Sequence, residues 1–457
     1  MIVIGGGISG LTAAFTAMRA GVDVTVLEAS DAPGGKVRST VEDGYTLDWG
    51  PNGFLANVPD LLDLANAVGL QHDVLPAADA AERRYLYWDG GLRPIPTTPG
   101  AFLRSELLSP PGKLRALSEA VLARSVKREE SVFDFIARHF GHEAARVFAG
   151  AFVQGISAGD ARQLSVDAMF PRLRHLEASH GSLLRGLAAA RRTARAASRE
   201  RSAAGLTSFR AGGVQRLIDA LADALGERVR TATPVRALRR GVGRDGSETV
   251  VELVDGSTMA SDRVVVATPA DAAADLLAGV APAASEALAA VRTVDVHVLG
   301  FGFDRIDVPY PLDGFGFLVP RGQRVRVLGA VWSSVVFPDQ APDGKVGIRV
   351  FAGGTLDPGF SALDDEEALA AARRDLETTM GIVVEPEYQR AIRWPKGIPQ
   401  FELGHRERVA SARHALAQAL PNARLAGNYL DGVGLNDAVR TAKVAVRSLL
   451  PPGPEAT

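Results

Sequence analysis

Residues 1–28 constrain this chain more than any other stretch. A short apolar run at 1–4 passes directly into Gly5-Gly6-Gly7-Ile8-Ser9-Gly10. A helix-forming stretch follows at 11–20, and a second apolar run at 22–27 ends at Glu28. The order is strand, glycine turn, helix, strand, acid. Gly5 permits the tight turn, Gly7 lets the backbone approach a pyrophosphate, and Gly10 lets helix and strand pack closely. The helix N-terminus turns free N–H groups and a partial positive charge toward the phosphates. Glu28 stands where a carboxylate would accept from ribose hydroxyls and would repel a 2′-phosphate. The stretch predicts dinucleotide binding and leaves the choice of FAD or NAD to the rest of the chain.

The 457 residues are 46% hydrophobic and 23% charged with a net charge of -2, which suits a globular chain of two or three domains. Near-neutral charge argues against a nucleic-acid partner bound through its phosphates. With no cysteine there is no disulfide, thiolate metal site, iron–sulfur cluster or thioether-linked flavin, and no metal site is expected. No apolar run is long enough to span a bilayer. Residues 1–4 read as a strand, not the n-region of a signal peptide. The expected location is the cytoplasm, with any membrane contact peripheral, on the inner face of the cell membrane.

Past the acid, a second glycine pair, Gly34-Gly35, precedes Lys36 and Arg38, two cations placed to neutralise cofactor phosphates. An aromatic strand, Tyr45 to Trp49, ends in the turn Gly50-Pro51-Asn52-Gly53. Residues 59–75 have amphipathic helical spacing that stops at Gly69, and 85–92 read as a β-hairpin. From 101 to 190 the pattern is helical, with Leu114, Leu117, Val121 and Leu122 on one face. Arg191, Arg192, Arg195, Arg199 and Arg201 follow among Ala and Ser, a solvated face or a basic patch for anionic lipid. The run Val264-Val265-Val266 predicts a buried parallel strand returning to the first sheet, so the cofactor domain is discontinuous. Residues 294–352 predict one antiparallel sheet, and 364–380 a helix covering it. At the far end, a glycine-rich strand-to-helix junction at 427–438 places another helix N-terminus at the cofactor.

Taken together, these blocks resemble the FAD-dependent protoporphyrinogen oxidases of the wider flavin amine oxidase superfamily. The superfamily likeness lies in Gly5 to Gly10, Glu28, Gly34-Gly35, the 264–269 strand and Gly427. The narrower likeness lies in Gly50-Pro51-Asn52, Ala158-Gly159-Asp160, 314–320, Ile398-Pro399-Gln400-Phe401 with Gly404-His405, and 432–437. The implied fold class is α/β, with a discontinuous Rossmann-type FAD domain, a mixed-sheet substrate domain and a helical membrane-associating domain. The FAD domain would take 1–75, 206–275 and 393–450, the substrate domain 76–100 and 276–392, and the helical domain 101–205.

The resemblance implies non-covalent FAD held by Gly5, Gly6, Gly7, Ile8, Ser9, Gly10, Glu28, Gly35, Lys36, Gly50, Pro51, Asn52, Gly53, Val235, Trp394, Val433, Gly434 and Leu435. It implies a substrate cleft lined by Phe315, Leu318, Val331 and Phe351, with Asn52 as the polar group facing substrate at the flavin. His405 is as readily a buried structural histidine as a functional one. Relatives place a propionate-binding arginine soon after a Pro-Thr pair, but Pro96-Thr97 is followed by no arginine before Arg104, so that anchor is unassigned. The implied reaction is oxygen-dependent oxidation of protoporphyrinogen IX, with peroxide formed. Coproporphyrinogen III oxidation, another amine oxidase-type reaction and a carrier module without turnover are the alternatives. Implied partners are the porphyrinogen, dioxygen, a membrane surface and the next haem-pathway enzyme, and the chain would be a monomer or homodimer.

Overall fold

The computed structural model describes residues 1–121, 128–197, 205–241 and 248–451, with the backbone alone at 191 and 193–197. Two sheets organise it. The first has five parallel strands, in the spatial order Val229–Arg230, Thr25–Leu27, Ile2–Ile4, Val264–Val266, Ala423–Leu425. Its inner strands are buried apolar runs, as parallel strands covered on both faces must be. Helix Ile8–Arg19 packs on one face beside Gln215–Leu225 and Leu435–Arg447, sharing a core that includes Leu11, Phe15, Ile218, Leu221, Val439 and Val446. The strand expected at 264–266 is present in its expected place, between the first strand and the last.

The second sheet has seven strands, in the order Tyr388–Pro399, Thr293–Asp304, Lys345–Gly353, Gly329–Val331, Gly316–Leu318, Tyr85–Trp88, Gly91–Pro94. It is mixed rather than wholly antiparallel, because Tyr85–Trp88 enters beside Gly316–Leu318 in parallel. Helix Asp365–Met380 covers it. That helix starts at a capping box, in which Asp364 accepts from the Glu367 N–H and the Glu367 side chain accepts from the Asp364 N–H. The boundary expected between 392 and 393 falls inside the Tyr388–Pro399 strand, so Trp394 stands on the second sheet.

Three expectations change in detail. The helix foreseen over 59–75 stops at Ala67, and Val74–Pro76 is instead a strand paired with Leu206–Phe209. The helical stretch after 101 is a set of short helices, including Pro110–Leu117, Val132–Phe140, Gly150–Ser157 and Pro171–His180. Leu114, Leu117 and Val121, expected on one helical face, are 72%, 47% and 80% exposed, while Leu122 lies outside the described residues. Of the arginine run, Arg192 is exposed, Arg191 and Arg195 lie on helix Leu183–Ala197, and Arg199 and Arg201 lie outside the described residues.

What holds those short helices together is charge rather than apolar area alone. Glu119, His139 and Glu177 are buried, with His139 Nδ1 2.8 Å from Glu119 and Nε2 3.1 Å from Glu177. Arg138 and Arg174 bind Glu177, and both reach Glu130. Glu119 also accepts from the N–H groups of Leu183 and Leu184, so it caps the next helix.

Candidate functional site

The glycine turn has the shape its spacing predicts. Gly5 has φ +102, and a Cβ on Gly10 would lie 1.7 Å from the Gly5 carbonyl oxygen, so helix and turn touch without room for a side chain. Gly7, by contrast, faces open space: nothing lies within 4 Å of where its Cβ would be. The helix that follows has no side-chain cap and no acid in its first turn. Free N–H groups at an uncapped helix start, beside an unfilled space, fit a pyrophosphate. Gly34 and Gly35 close over this turn: Gly34 N–H donates to the Gly6 carbonyl at 2.9 Å, and Gly7 and Gly34 form an isolated parallel bridge.

Glu28 sits against the turn. Its Oε2 accepts the Gly6 N–H at 2.6 Å and its Oε1 accepts Ser30 N–H and Oγ at 2.8 and 2.5 Å. The carboxylate is thereby aimed, with acceptor capacity left for ribose hydroxyls. The segment leading to Val235 runs alongside, tied by Thr233 N–H to the Glu28 carbonyl. From the far end of the chain, the Leu435–Arg447 helix begins at Gly434, again without a side-chain cap, and Ser9 Oγ donates to the Ala438 carbonyl at 3.3 Å. Asn436 ties the start of that helix to Leu61 N–H and the Leu55 carbonyl, just beyond the Gly50–Pro51–Asn52–Gly53 loop. Ile8, Ser9, Val433, Gly434 and Leu435 thus belong to two helix starts joined at Ser9 and Ala438.

The ammonium of Lys36 donates to the carbonyls of Lys396 and Gly397 at 3.0 and 2.7 Å. Those residues lie within the register shift, between the Val296–Trp394 and Val294–Ile398 pairs, and the lysine satisfies their carbonyls. Burial lowers its pKa.

The second sheet presents one face to this assembly. Residues directly opposite across paired strands share a side of the sheet. The register sets Leu318, Gly329 and Phe351 in one row and Gly316, Val331 and Arg349 in the next. Leu318, Val331 and Phe351 therefore share one face, and Phe315 joins Val331 and Phe351 in a single apolar cluster. Leu318 also packs with Leu86, Leu107, Val147 and Ala151 toward the short helices. Phe351 continues to Trp49 and Trp394, whose rings are 6.2 Å apart, and Trp394 Nε1 donates to the Trp49 carbonyl at 2.7 Å. That bond fixes the start of the 50–53 loop. Asn52 on this loop is half-buried, and its side chain has no hydrogen-bond partner among the described residues.

Three charged or titratable groups stand close by. Asp48 is buried, and its carboxylate accepts from Ser39, Val214 and Gln340; burial nonetheless raises its pKa. Burial pushes Arg349 down to about 10, against the opposing influence of Asp48. Arg84 is exposed, with its guanidinium 4.9 Å from the Phe315 ring centre and no carboxylate partner among the described residues. Sequence reasoning missed both arginines. For Arg84 a signal existed, since Arg83-Arg84 directly precede the aromatic strand at 85–88. His405 stacks on Phe401 at 3.9 Å, and burial pulls it down to about 4, so it is a neutral core residue.

A parallel sheet feeding a glycine turn, two uncapped helix starts and an apolar wall define a dinucleotide-dependent oxidoreductase. The flavin containing amine oxidoreductase model matches residues 8–450, and this chain belongs to that family and uses FAD. It is 30% identical to coproporphyrinogen III oxidase of Bacillus subtilis (strain 168), over 98% of this chain and 97% of that one. It is 33% identical to chloroplastic protoporphyrinogen oxidase of Oryza sativa subsp. japonica, over 96% of this chain and 86% of that one. A crystal structure from Exiguobacterium sp. 255-15 superposes with a TM-score of 0.84 at 27% identity, covering 98% of both chains. Putrescine oxidase, at 17% identity and a TM-score of 0.71 over 98% of both chains, shares the fold.

Proposed function

We propose that this chain oxidises a propionate-bearing porphyrinogen to its porphyrin in tetrapyrrole biosynthesis, with dioxygen as final acceptor. Protoporphyrinogen IX is the substrate expected from the sequence. Coproporphyrinogen III is the second reading, because relatives named for its oxidation also match nearly end to end. The observation that carries the proposal is the single sheet face bearing Leu318, Val331 and Phe351, with Phe315 beside it, opposite the 49–53 loop. Such an apolar wall suits a flat, greasy macrocycle.

FAD, once bound, would supply the hydride-accepting and dioxygen-reducing chemistry, with peroxide as the reduced product. The protein's own residues then have three tasks. Gly5 to Gly10, Gly434 and Glu28 hold the dinucleotide, while Gly50, Pro51 and Gly53 position the loop at its ring system. Phe315, Leu318, Val331 and Phe351 orient the macrocycle and exclude water. Asn52 offers an unused amide to a pyrrole N–H as tautomerisation releases protons, and Arg84 offers a guanidinium to a propionate at Phe315.

The division into FAD, substrate and helical parts belongs to this reading. So does peripheral membrane contact through Leu103, Leu114, Leu117 and Val121, which stand exposed beside Arg104 and Lys113. Among the described residues, no helix is long and apolar enough to cross a membrane.

The test is to supply both porphyrinogens, with and without oxygen, and follow porphyrin fluorescence and peroxide. Porphyrin and peroxide formed together in air support the proposal. A yellow, FAD-loaded protein inert toward both substrates refutes it. Asn52→Ala should retain FAD and lose turnover; full turnover removes Asn52 from the reaction.

A further inference from the structure

A closed circuit of contacts surrounds the start of the 50–53 loop. Lys36 donates from its ammonium to the carbonyls of Lys396 and Gly397 at 3.0 and 2.7 Å. Gly397 lies against Trp394, since a Cβ on it would be 3.0 Å from the Trp394 Cβ and 2.8 Å from Val296. Trp394 in turn donates from Nε1 to the Trp49 carbonyl at 2.7 Å. Trp49 leads into Gly50, where a Cβ would lie 2.5 Å from the Lys36 carbonyl oxygen. The circuit begins and ends on Lys36.

Its strand side is a bulge. Residues 395–397 stand opposite Asp295 alone, between the Val296–Trp394 and Val294–Ile398 pairs. A bulge re-aims the side chain next to it, here Trp394. Lys396 within it has φ +53, which a residue other than glycine keeps only where its surroundings hold it. Asp295 accepts the Lys396 N–H and Asp271 accepts its ammonium, both at 2.7 Å. Two acids thus hold the segment by its donors, and Lys36 holds it by its acceptors.

Lys36 is half-buried, and burial lowers its pKa against the opposing pull of Asp271. A surface lysine leaves its ammonium in water and bears no such cost. The same short stretch also reaches the other end of the cofactor site. Gly34 N–H donates to the Gly6 carbonyl, and Gly7 and Gly34 form a bridge over the glycine turn.

Resting on the reading that Trp394 and the 50–53 loop stand at the flavin ring, we propose that Lys36 is a positioning residue for the oxidation. It acts through the bulge, fixing the Trp394 indole against Trp49 and with it the start of the loop. The turn over the phosphates and the wall at the ring are thereby one mechanical unit.

The experiment compares the wild-type holoenzyme with Lys36→Met, Lys36→Arg and Lys36→Met in a Trp394→Phe background. It reads FAD affinity by flavin fluorescence, tryptophan circular dichroism in the near ultraviolet, and kcat and KM on both porphyrinogens. Lys36→Met should keep FAD affinity and KM within about threefold of wild type, lower kcat about tenfold or more, and change the tryptophan signal. The spectral change should be absent when Trp394 is already Phe. Lys36→Arg, which keeps a cation able to bridge two carbonyls, should recover most of kcat. Unchanged kcat, or a spectral change that survives the loss of Trp394, overturns the inference. So does an FAD affinity that falls about tenfold with normal turnover at saturation, which assigns the ammonium to the phosphates instead. Should Lys36→Met fail to fold, Gly397→Ala disturbs the same circuit from the strand side and is judged by the same criteria. A wild-type holoenzyme inert toward both porphyrinogens defeats the reading of function, while the affinity and the spectra still decide the role of Lys36.

Discussion

At the scale of single residues, Gly7 and Gly10 separate two jobs that one motif performs. Gly10 is a packing glycine, since any side chain there collides with the Gly5 carbonyl. Gly7 leaves space that the fold does not use. Gly7→Ala should therefore keep the apoprotein's melting temperature within about 1 °C, because a surface-type change costs little. It should weaken FAD binding at least about tenfold, measured by flavin fluorescence titration, because its methyl enters the phosphate space. Gly10→Ala should instead destabilise the chain by about 1–3 kcal/mol, read by chemical denaturation, as overpacking does. Both roles were legible in the sequence, since they depend on neighbours only a few residues away. Lys36 and Arg349 were not. The carbonyls that claim Lys36 come from residues 396 and 397, and the row that gives Arg349 its setting needs the register of three strands. Local spacing carries no information about either.

At the scale of elements, the short helices around Glu119, His139 and Glu177 depend on ionised carboxylates. Burial alone would raise both glutamates. Hydrogen bonds from Ser182, His139 and the Leu183 and Leu184 N–H groups outweigh it at Glu119, and those from Arg138 and Arg174 outweigh it at Glu177. Both folded pKa values lie below the ordinary 4.5. Their contribution to stability is therefore complete above that value and is lost as pH falls through the folded values. Limited proteolysis between pH 6 and pH 3 should show cleavage in 101–197 before the parallel sheet yields. Glu177→Gln should raise the pH at which this happens, with the fragment pattern read by mass spectrometry. The exposed Leu114 and Val121 make a second element-scale case. Their helical spacing was visible, but spacing cannot say whether a face meets protein, lipid or water. Leu114→Ser with Val121→Ser should leave turnover in detergent unchanged and reduce sedimentation with anionic liposomes. Equal sedimentation of both forms would remove this face from membrane contact. By contrast, the Asp365–Met380 helix was foreseen nearly to its ends, because Asp364 and Glu367 write the capping box into four consecutive residues.

At the scale of the whole molecule, one ligand joins distant parts of the chain, and its loss should be felt everywhere. FAD at about a hundred times its Kd adds about 2.7 kcal/mol to stability. The holoprotein should melt several degrees above the apoprotein in calorimetry, and the difference should shrink in Gly7→Ala. The five-stranded sheet adds a consequence in time. The Val264–Val266 strand has its second neighbour only when Ala423–Leu425 arrives, and the first helix, already beside Gln215–Leu225, gains its second packing partner only with Leu435–Arg447. Such long-range pairings form slowly and leave apolar surface waiting. The glycine turn is made long before the Leu435–Arg447 helix, and the cradle is complete only once that helix has joined it. A chain cut before residue 423 would lack the last strand of the sheet and the closing helix, and should bind no flavin.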